Sequence, residues 1–459
     1  MSAISDSSIP SPLIESKADL IEVLERGNKP KEDWRIGTEH EKFVFYKNDF
    51  SPVPYEGENG IRAILEQVQA ETGWTPSLDN GNIIGLTNPD GGGAISLEPG
   101  GQFELSGAPL ENLHQTCSET YKHLRMLEAI AEPMGIGFLG VGVSPTWALS
   151  DIEPMPKSRY GIMAPYMEQV GSLGTTMMFR SSTVQVNLDF ASEADMVKKL
   201  RVSLALQPIA SALFANSPFL EGRPNGYLSF RSEVWRKTDA DRTGMLPFAF
   251  EDGMGFERYV DYALDVPMYF IVRNGKYINC AGQSFRDFLK GELPAAPGEK
   301  PTIRDWEDHL STIFPEVRLK QFLEMRGADC GPWREICALP AFWTGLLYDQ
   351  NALDAAWDLV KDWTEDERQN LRDDVPKQAL HTVFRNTNVQ EIAREVLDLS
   401  AAGLKARNIL SWESLDEQQY IAPLQKIVET GQTRAEWLLE LYDGRWHGDI
   451  DNIYRELAY

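Results

Sequence analysis

The sequence predicts an α+β protein, and two patterns carry this prediction. Strand-like alternation of apolar and polar residues is concentrated in the middle of the chain, most clearly over 36–46 and 177–190. Helical spacing of apolar residues comes before and between these strands, and from about residue 340 to residue 459 the pattern is almost entirely helical. Because the strands are grouped rather than alternating one by one with helices, we predict an α+β fold and not a doubly wound parallel sheet.

The individual elements follow from local patterns. Periodic apolar residues predict helices, while alternation and glycine-punctuated turns predict strands. In chain order we predict a helix over 17–27, a strand over 36–46, a helix over 61–72, short glycine-bent strands within 80–106, a helix over 111–135, strands over 137–143 and 177–190, and a helix over 193–215. No repeat or linker marks a boundary, so we predict one domain over 1–459, with a flexible segment over 1–15 and a helical part over about 340–459.

The net negative charge of the chain disfavours certain classes of binding partner. The 459-residue chain has 44 Lys and Arg against 69 Asp and Glu, a formal charge of −25. Such an acidic surface disfavours nucleic acids and anionic membranes, so we expect neither as a partner. The start of the chain lacks the basic and apolar stretches of a secretory signal and is too acidic for a transit peptide. The sequence therefore predicts a cytoplasmic protein.

Charged or amide side chains recur two residues apart in several strand-like stretches. A strand points alternate residues to opposite faces, so the two members of each pair share one face. The stretches are Glu39-His40-Glu41, Gln185-Val186-Asn187, Arg231-Ser232-Glu233 and Glu324-Met325-Arg326, and Glu98 and Glu104 flank a Gly-Gly break in one more. Gathered on one sheet, these residues would form a wall of carboxylates interspersed with guanidinium groups.

A wall of this kind requires cations or a ligand to complete it. Two carboxylates about 4 Å apart repel by roughly 4 kcal/mol at an effective dielectric of about 20. Mg2+ prefers oxygen ligands and leaves positions open for phosphate, while arginine grips phosphate oxygens bidentately. The pattern therefore predicts a site for a metal-bound nucleotide. Each stretch taken alone is equally typical of a solvated strand face or an internal ion pair, so the prediction depends on their conjunction.

Five motifs give the chain a resemblance to a known family. They are Gly-Thr-Glu-His-Glu-Lys-Phe (37–43), Ser-Leu-Glu-Pro-Gly-Gly-Gln-Phe-Glu-Leu-Ser (96–106), Met-Pro-Lys-Ser-Arg-Tyr (155–160), Met-Met-Phe-Arg-Ser-Ser-Thr-Val-Gln-Val-Asn (177–187) and Leu-Glu-Met-Arg-Gly-Ala-Asp (323–329). Together they closely resemble glutamate-cysteine ligase of the type shared by plants and alphaproteobacteria. The resemblance is dense over about residues 35–350 and looser in the helical tail.

The resemblance implies a fold and a reaction. The family has a glutamine-synthetase-like core, a curved antiparallel sheet that holds ATP, L-glutamate and two or three Mg2+ ions; whether Mn2+ can substitute stays open at this point. ATP phosphorylates the γ-carboxylate of glutamate, and the amine of L-cysteine displaces phosphate to give γ-glutamylcysteine in the first step of glutathione biosynthesis. It further implies feedback inhibition by glutathione and a monomer or homodimer.

The resemblance also implies roles for particular residues. The acidic metal positions match Glu39, Glu41, Glu104 and Glu324, with Glu98 and Asn187 as further members. The arginines that meet the transferring phosphate match Arg231 and Arg326, which we take as the catalytic residues. The residues that match or neighbour the substrate-binding segment are Tyr160, Thr176, Met178, Arg180, Ser182 and Trp235.

Four cysteines are too few and too scattered for a disulfide scaffold. By the resemblance, Cys117 and Cys337 match one of the two redox-regulatory disulfides of plant members. Cys280 matches one half of the other, but the partner position holds Ala295. A Cys117–Cys337 bond and a pair of buried thiols both remain open at this point.

Three other functions are consistent with parts of the sequence. A ligase that joins glutamate to another amine would differ only in a small acceptor pocket. A non-catalytic sensor of glutamate or nucleotide would not need to keep both the acidic and the arginine sets. A glycosidase would use two carboxyl groups but no arginine cluster, and we rank it last.

Overall fold

The computed structural model describes residues 11–459 and confirms the α+β fold. Its central element is a nine-stranded, predominantly antiparallel sheet. The strands are Ile36–Tyr46 (β1), Thr75–Asp79 (β2), Asn82–Thr87 (β3), Ala94–Leu97 (β4), Phe103–Ser106 (β5), Ile136–Leu139 (β6), Thr183–Leu188 (β7), Val317–Leu319 (β8) and Leu323–Asp329 (β9). Their spatial order is β8-β9-β7-β1-β5-β4-β3-β2, and β6 pairs with the far half of β1.

Helices surround this sheet and form the end of the chain. They are Lys17–Glu25 (α1), Ile61–Thr72 (α2), Leu113–Ala131 (α3), Ser158–Val170 (α4), Gly174–Arg180 (α5), Glu193–Leu213 (α6), Phe230–Arg236 (α7), Phe256–Asp265 (α8), Phe285–Lys290 (α9), Ile303–Leu310 (α10), Trp333–Leu347 (α11), Gln350–Val360 (α12), Glu365–Gln378 (α13), Val389–Arg407 (α14), Ala422–Thr430 (α15), Arg434–Asp443 (α16) and Asn452–Leu457 (α17). Short 3-10 helices cover Lys31–Asp33, Glu132–Met134, Leu149–Asp151, Pro247–Phe250, Ala379–His381 and Glu417–Ile421.

Four two-stranded pairs complete the secondary structure that is described. Each is a local pair outside the large sheet. They are Phe219–Leu220 with Arg223–Pro224, Thr243–Gly244 with Phe314–Pro315, Phe270–Arg273 with Lys276–Asn279, and Val383–Phe384 with Thr387–Asn388.

The two faces of the sheet have different character, and this positions the site. On β7, Val184, Val186 and Leu188 point to one face, where α6 and α11 pack and the largest apolar cluster lies. Gln185 and Asn187 point to the other face, because side chains alternate along a strand. The same alternation places the acidic residues of β1, β5 and β9 on that second face. The apolar layer thus fixes the sheet, and the opposite face is left for polar side chains.

Several predicted elements have the expected bounds, and two were wrong. The strand over 36–46 and the helix over 61–72 coincide with β1 and α2. The predicted strand over 177–190 is instead the end of helix α5 followed by β7, which begins only at Thr183. Arg231-Ser232-Glu233 is not a strand but lies in helix α7, because the side chain of Ser229 accepts a hydrogen bond from the Ser232 N–H and caps this helix.

The segment expected to be flexible divides into two parts. Residues 1–10 lie outside the described residues. Beyond them, Ile14 is buried, and its N–H donates to the Pro301 carbonyl at 3.0 Å. Across residues 11–459, helices that combine the length and the apolarity needed to cross a membrane were not found.

The close crossing of α11 and α14 gives a test of the helical part. A Cβ added at Gly403 would overlap the carbonyl oxygen of Gly345. We therefore expect Gly403→Ala to lower the free energy of unfolding by about 1–3 kcal/mol, as overpacked cores do. The matched control is Gly161→Ala in α4, where an added Cβ meets no atom within 4 Å. Urea denaturation should give a lower midpoint for Gly403→Ala only, and equal midpoints would contradict this packing.

Candidate active site

A cavity of about 110 Å3 opens on the polar face of the sheet and joins half of the predicted metal, catalytic and substrate residues. Its lining comes from the sheet, from the turn between β4 and β5, and from α4, α5 and α7. The predicted residues in this lining are Glu41, Glu98, Tyr160, Met178, Arg231, Trp235 and Arg326. One cavity thus brings carboxylates, arginines and aromatic groups together.

The carboxylates come from neighbouring strands. Glu41 of β1 lies directly across from Glu104 of β5 in the antiparallel register. Glu104 is buried and accepts hydrogen bonds from Ser96 at 3.3 Å and Ser106 at 2.9 Å. Glu98 reaches the cavity because the chain turns there, with the Gly101 N–H donating to the Glu98 carbonyl and Gly101 at φ +81°.

Burial and mutual repulsion raise the pKa values of two of these carboxylates, Glu41 and Glu104. Burial, followed by the nearby Glu98 carboxylate, raises the pKa of Glu41 to about 8. Burial and three neighbouring carboxylates raise the pKa of Glu104 well above its usual value; these neighbours are Glu98, Glu39 and Glu41. The donor set is all oxygen and carries excess negative charge, which fits a hard divalent cation.

Two further predicted metal residues, Glu39 and Glu324, already have partners. Glu39 accepts a hydrogen bond from the Asn187 amide at 3.0 Å. Glu324 is fully buried and accepts from Arg318 at 2.6 and 2.9 Å. Among residues 11–459, no group of three or more His, Cys, Asp or Glu side chains is already arranged to hold a metal ion.

Arg326 is aimed into the cavity by an irregularity in β9. The pairing of β9 with β7 shifts between Met325 and Ala328, which turns the residues in between. The hydroxyl of Ser211 donates to the Gly327 carbonyl of this bulge at 3.0 Å. The Arg326 guanidinium donates to Glu324 and to Gln185, each at 2.7 Å.

The Glu324 carboxylate holds this arginine in place. Besides Arg318 and Arg326, Lys320 lies 4.0 Å from its carboxylate. Burial alone would raise the pKa of Glu324, but the three cations outweigh burial and hold this pKa well below its usual value. A charged Glu324 therefore orients Arg326 at neutral pH.

Arg231 is the least satisfied cation of the cavity. It is 1% exposed, and its Nη2 donates to the Arg326 carbonyl at 3.0 Å. Its Nε and Nη1 are buried and have no hydrogen-bond partner among the described residues. Burial lowers the pKa of Arg231 from its ordinary value, although Asp329 and Glu41 oppose this. Buried donors without partners are costly, so this guanidinium is arranged to receive an anion.

Three predicted substrate residues do not line the cavity. Arg180 donates to Glu221 at 2.7 Å and to the Thr176 hydroxyl at 3.1 Å, which ties these side chains to each other. Ser182 is fully buried, with its N–H donating to the Gly142 carbonyl at 2.9 Å. All three lie immediately beside the lining residues Met177, Met178 and Ser181 in sequence, so they support the wall of the cavity.

The cavity also contains residues that the sequence analysis did not select. Arg159 is the most informative, because it is a third guanidinium in the lining and its charge interacts with Glu98. It directly precedes Tyr160 in the motif Met-Pro-Lys-Ser-Arg-Tyr (155–160). This position next to a predicted substrate residue, at the start of a helix, was the signal in the sequence that could have identified Arg159. The other unselected lining residues are Pro99, Gln102, Met163, Met177, Ser181, Thr183, Gln185, Phe270, Ser311, Thr312 and Phe314.

The cysteines divide into one bonded pair and two thiols. Cys117 of α3 and Cys337 of α11 form a disulfide, with their Cα atoms 5.4 Å apart. Of the two alternatives that the sequence left open, the structure has the disulfide. Cys280 and Cys330 are buried free thiols, so the second regulatory bond of the plant type is not formed.

Comparisons with known proteins identify the family. The model of the glutamate-cysteine ligase family 2 (GCS2) matches residues 35–456. The chain is 57% identical over 444 residues to the chloroplastic glutamate-cysteine ligase B of Oryza sativa subsp. japonica, covering 97% of this chain and 87% of that protein. It is 55% identical to the chloroplastic enzyme of Arabidopsis thaliana, covering 97% and 83%.

A solved structure supports the fold. The glutamate-cysteine ligase of Francisella tularensis, crystallised in complex with AMP, matches with a TM-score of 0.55 at 14% identity over 94% of this chain and 89% of that chain. At this identity the match concerns the fold alone, and it agrees with the antiparallel sheet described above.

The relatives correct one prediction. The expectation of a cytoplasmic protein was wrong, since the similar enzymes of rice, Medicago truncatula and Arabidopsis are all named chloroplastic. The prediction relied on the composition of the first residues of the chain, which did not indicate the compartment of these relatives. From the match over most of its length, the chain belongs to glutamate-cysteine ligase family 2 and has glutamate-cysteine ligase activity, the first step of glutathione biosynthesis.

Proposed function

We propose that the cavity on the polar face of the sheet is the active site of this ligase. The single observation that carries the proposal is that one cavity is lined by two carboxylates, Glu41 and Glu98, together with three arginines, Arg159, Arg231 and Arg326. L-glutamate, L-cysteine and ATP meet there. The acidic side faces the metal-bound phosphates of ATP, and the arginines face the groups that gain or lose negative charge.

The acidic side is where Mg2+ would be held. Glu41, Glu98 and Glu104 offer carboxylate oxygens, and Glu39 with Asn187 extends this set along β1 and β7. We propose two or three ions, with Mn2+ able to replace Mg2+. When bound, they neutralise phosphate charge. Glu324 has its lone pairs occupied by Arg318 and Arg326, so in our proposal it orients Arg326 and touches a metal only if that pairing opens.

Arg231 and Arg326 stabilise the phosphoryl transfer. The γ-carboxylate of glutamate is already an anion and needs no general base to attack phosphorus, so catalysis depends on position and on charge. The unpartnered Nε and Nη1 of Arg231 supply two donors that need no reorganisation when the transferring oxygens reach them. The same two arginines then stabilise the phosphate that leaves when the cysteine amine attacks the acyl carbon.

The acceptor is proposed to lie on the apolar side of the cavity. Tyr160, Met163, Met178, Trp235 and Phe270 line it there. Sulfur makes favourable contacts with aromatic rings and with other polarizable groups, which suits a thiol side chain better than a charged or strongly polar one. We therefore expect 2-aminobutyrate to replace cysteine better than alanine, and ammonia to be the poorest acceptor.

The α-carboxylate of glutamate is proposed to bind Arg159. Its Nε is buried without a partner, and its guanidinium lies over the Tyr160 ring at 5.1 Å. Because a hydrogen bond to a charged group is worth about 1.5–3 kcal/mol, Arg159→Ala should raise the KM for glutamate by about 10- to 100-fold. The KM for cysteine should change little. Initial rates of cysteine-dependent phosphate release measure both constants.

The control for this experiment is Arg125→Ala, an exposed arginine of α3 that pairs with Glu128. It should leave both constants unchanged. Equal increases in the two KM values for Arg159→Ala, or none, would contradict the assignment of Arg159 to glutamate.

Two properties of the whole enzyme belong to the same proposal. Glutathione carries the γ-glutamyl group of the substrate, so we propose that it inhibits by competing with glutamate in this cavity. We further propose a monomer or a homodimer in solution.

A further inference from the structure

A second and larger cavity, of about 820 Å3, lies against the disulfide. Its walls are the start of α11, the 3-10 helix Glu417–Ile421, α15 and the start of α16, and it shares no lining residue with the active-site cavity. Both Cys117 and Cys337 line it, although they are only 6% and 4% exposed. The disulfide is therefore buried from the outer surface but forms part of the floor of a cavity.

The charge of this cavity is opposite to that of the protein. Arg334, Lys426 and Arg434 line it, against the single carboxylate of Glu335, in a chain with a formal charge of −25. Glu335 approaches only Arg434, with 3.6 Å between nitrogen and oxygen. Within residues 11–459, Arg334 and Lys426 form no ion pair. In addition, α11 begins here without a side-chain cap, which leaves backbone N–H groups and the positive end of its dipole at the rim.

Aromatic side chains supply the rest of the wall. The Trp333 indole N–H donates to the Cys117 carbonyl at 3.5 Å, so this ring lies beside the disulfide. Tyr420 and Trp437 line the same space. Such surfaces pack against methylene groups and peptide planes, while the cations are placed to meet carboxylates.

We propose that this cavity is a binding site for small anionic thiols, which enter it to reduce the Cys117–Cys337 disulfide. The reaction product of the enzyme belongs to this class. γ-Glutamylcysteine has one thiol, two carboxylates and one ammonium group, and hence a net charge of −1. The proposal depends on the ligase activity but not on the roles assigned to individual active-site residues.

Complete reduction of the disulfide by thiol–disulfide exchange consumes two molecules of the small thiol. The thiolate of the first attacks one Sγ, so that a mixed disulfide forms, the Sγ–Sγ bond breaks, and the other cysteine leaves as a thiolate that takes a proton from solvent. The thiolate of the second attacks the sulfur of the bound ligand and releases the remaining cysteine. The protein disulfide is reduced by two electrons, and two thiols are oxidised to one small disulfide.

The test measures reduction of the bond rather than catalysis. Oxidised full-length enzyme is treated with γ-glutamylcysteine, with neutral 2-mercaptoethanol and with cationic cysteamine at equal thiolate concentrations. Free thiols are then alkylated and counted by mass at successive times. We expect reduction by the anionic thiol to be about tenfold faster than by the neutral one, and slowest with cysteamine, as local charge raises the concentration of a counter-ion. High salt should remove the difference.

Matched variants test whether the cations of this cavity cause the faster reduction by an anionic thiol. The double variant Arg334→Ala with Lys426→Ala should abolish this advantage, while Arg334→Lys with Lys426→Arg should keep it. Arg223→Ala with Lys276→Ala, two exposed cations elsewhere, should change nothing. Equal rates for the three thiols, an anionic advantage that survives in the double alanine variant, reduction only by a protein dithiol, or failure of the bond to form under oxidising conditions would each overturn the proposal.

Discussion

Replacing Arg326 with alanine should lower kcat by about a thousandfold without unfolding the protein. Arg326 is the cation that the bulge of β9 turns into the cavity, where its guanidinium meets Gln185 and Glu324. An arginine that stabilises a transferring phosphoryl group is worth about 10³–10⁵ in kcat. Glu324 would keep its two hydrogen bonds from Arg318, so the buried carboxylate is not left unpaired. Steady-state formation of γ-glutamylcysteine gives kcat, and thermal unfolding checks the fold.

The control is Arg236→Ala, in the same helix as Arg231 but paired with Asp373 outside the cavity. It should retain most of the activity. Arg326→Lys should recover only a small part of kcat, because a single ammonium cannot reproduce the fork of a guanidinium. Full activity of Arg326→Ala would contradict the proposed site.

The second large effect is expected from Glu104→Gln. The substitution keeps the size of the side chain but removes a charge from the proposed metal site. The amide oxygen still accepts a hydrogen bond from one of Ser96 and Ser106, and the amide NH2 donates to the hydroxyl of the other. We expect kcat to fall by at least about a hundredfold, comparable with the loss of one electrostatic contact in a catalytic site. The Mg2+ concentration at half-maximal activity should rise as well. Activity measured against Mg2+ and against Mn2+ gives both quantities.

Glu104→Gln should lower activity, but it should make the metal-free protein less sensitive to a rise in pH. The pKa of Glu104 is raised in the folded state, so folding binds protons, and the free energy of unfolding falls as pH rises from the unfolded pKa towards the folded one. Glu41 likewise makes the free energy of unfolding fall with rising pH, up to its pKa of about 8. Between about pH 5 and pH 8, the melting temperature of metal-free Glu104→Gln should therefore fall less than that of the wild type.

Two controls complete this experiment. Mg2+ should raise the melting temperature of the wild type more than that of Glu104→Gln, because only the former keeps the full set of ligands. Glu119→Gln is a matched variant for the Mg2+ dependence, since Glu119 is a partly buried carboxylate that accepts from the Ala108 N–H outside the cavity. Identical dependence on pH and on Mg2+ in wild type and Glu104→Gln would refute the metal role.

The accuracy of the sequence-based predictions depended on how local their signals were. β1 and α2 were placed with their observed bounds because alternation and a glycine stop act within a few residues. The prediction of one strand over 177–190 was wrong because a short apolar run has no clear period. In addition, α5 ends only three residues before β7 begins. Arg231 lines the cavity, but from a helix and not from the predicted strand, because Ser229 caps a helix that begins there.

Long-range geometry accounts for what was missed. The sequence could not indicate that Arg318 occupies both oxygens of Glu324, because that pairing depends on the register of β8 with β9. Nor could it show that Arg159 of α4 reaches the same cavity as β1 and β9. This last neighbourhood is set by packing between segments more than a hundred residues apart. The disulfide between α3 and α11 was predicted only through resemblance, for the same reason.

The alternation on β7 and β9 has a consequence for how the chain reaches its native state. In these two strands, amide or charged residues on one face alternate with apolar residues that pack against helices on the other. A slip of one residue in pairing would place Gln185, Asn187 and Glu324 in the helical layer and expose valines and leucines in their place. Mispaired sheets are therefore strongly disfavoured. The polar side chains that face the cavity thus also disfavour competing registers, so selection for catalysis on this sheet is at the same time selection for a single fold.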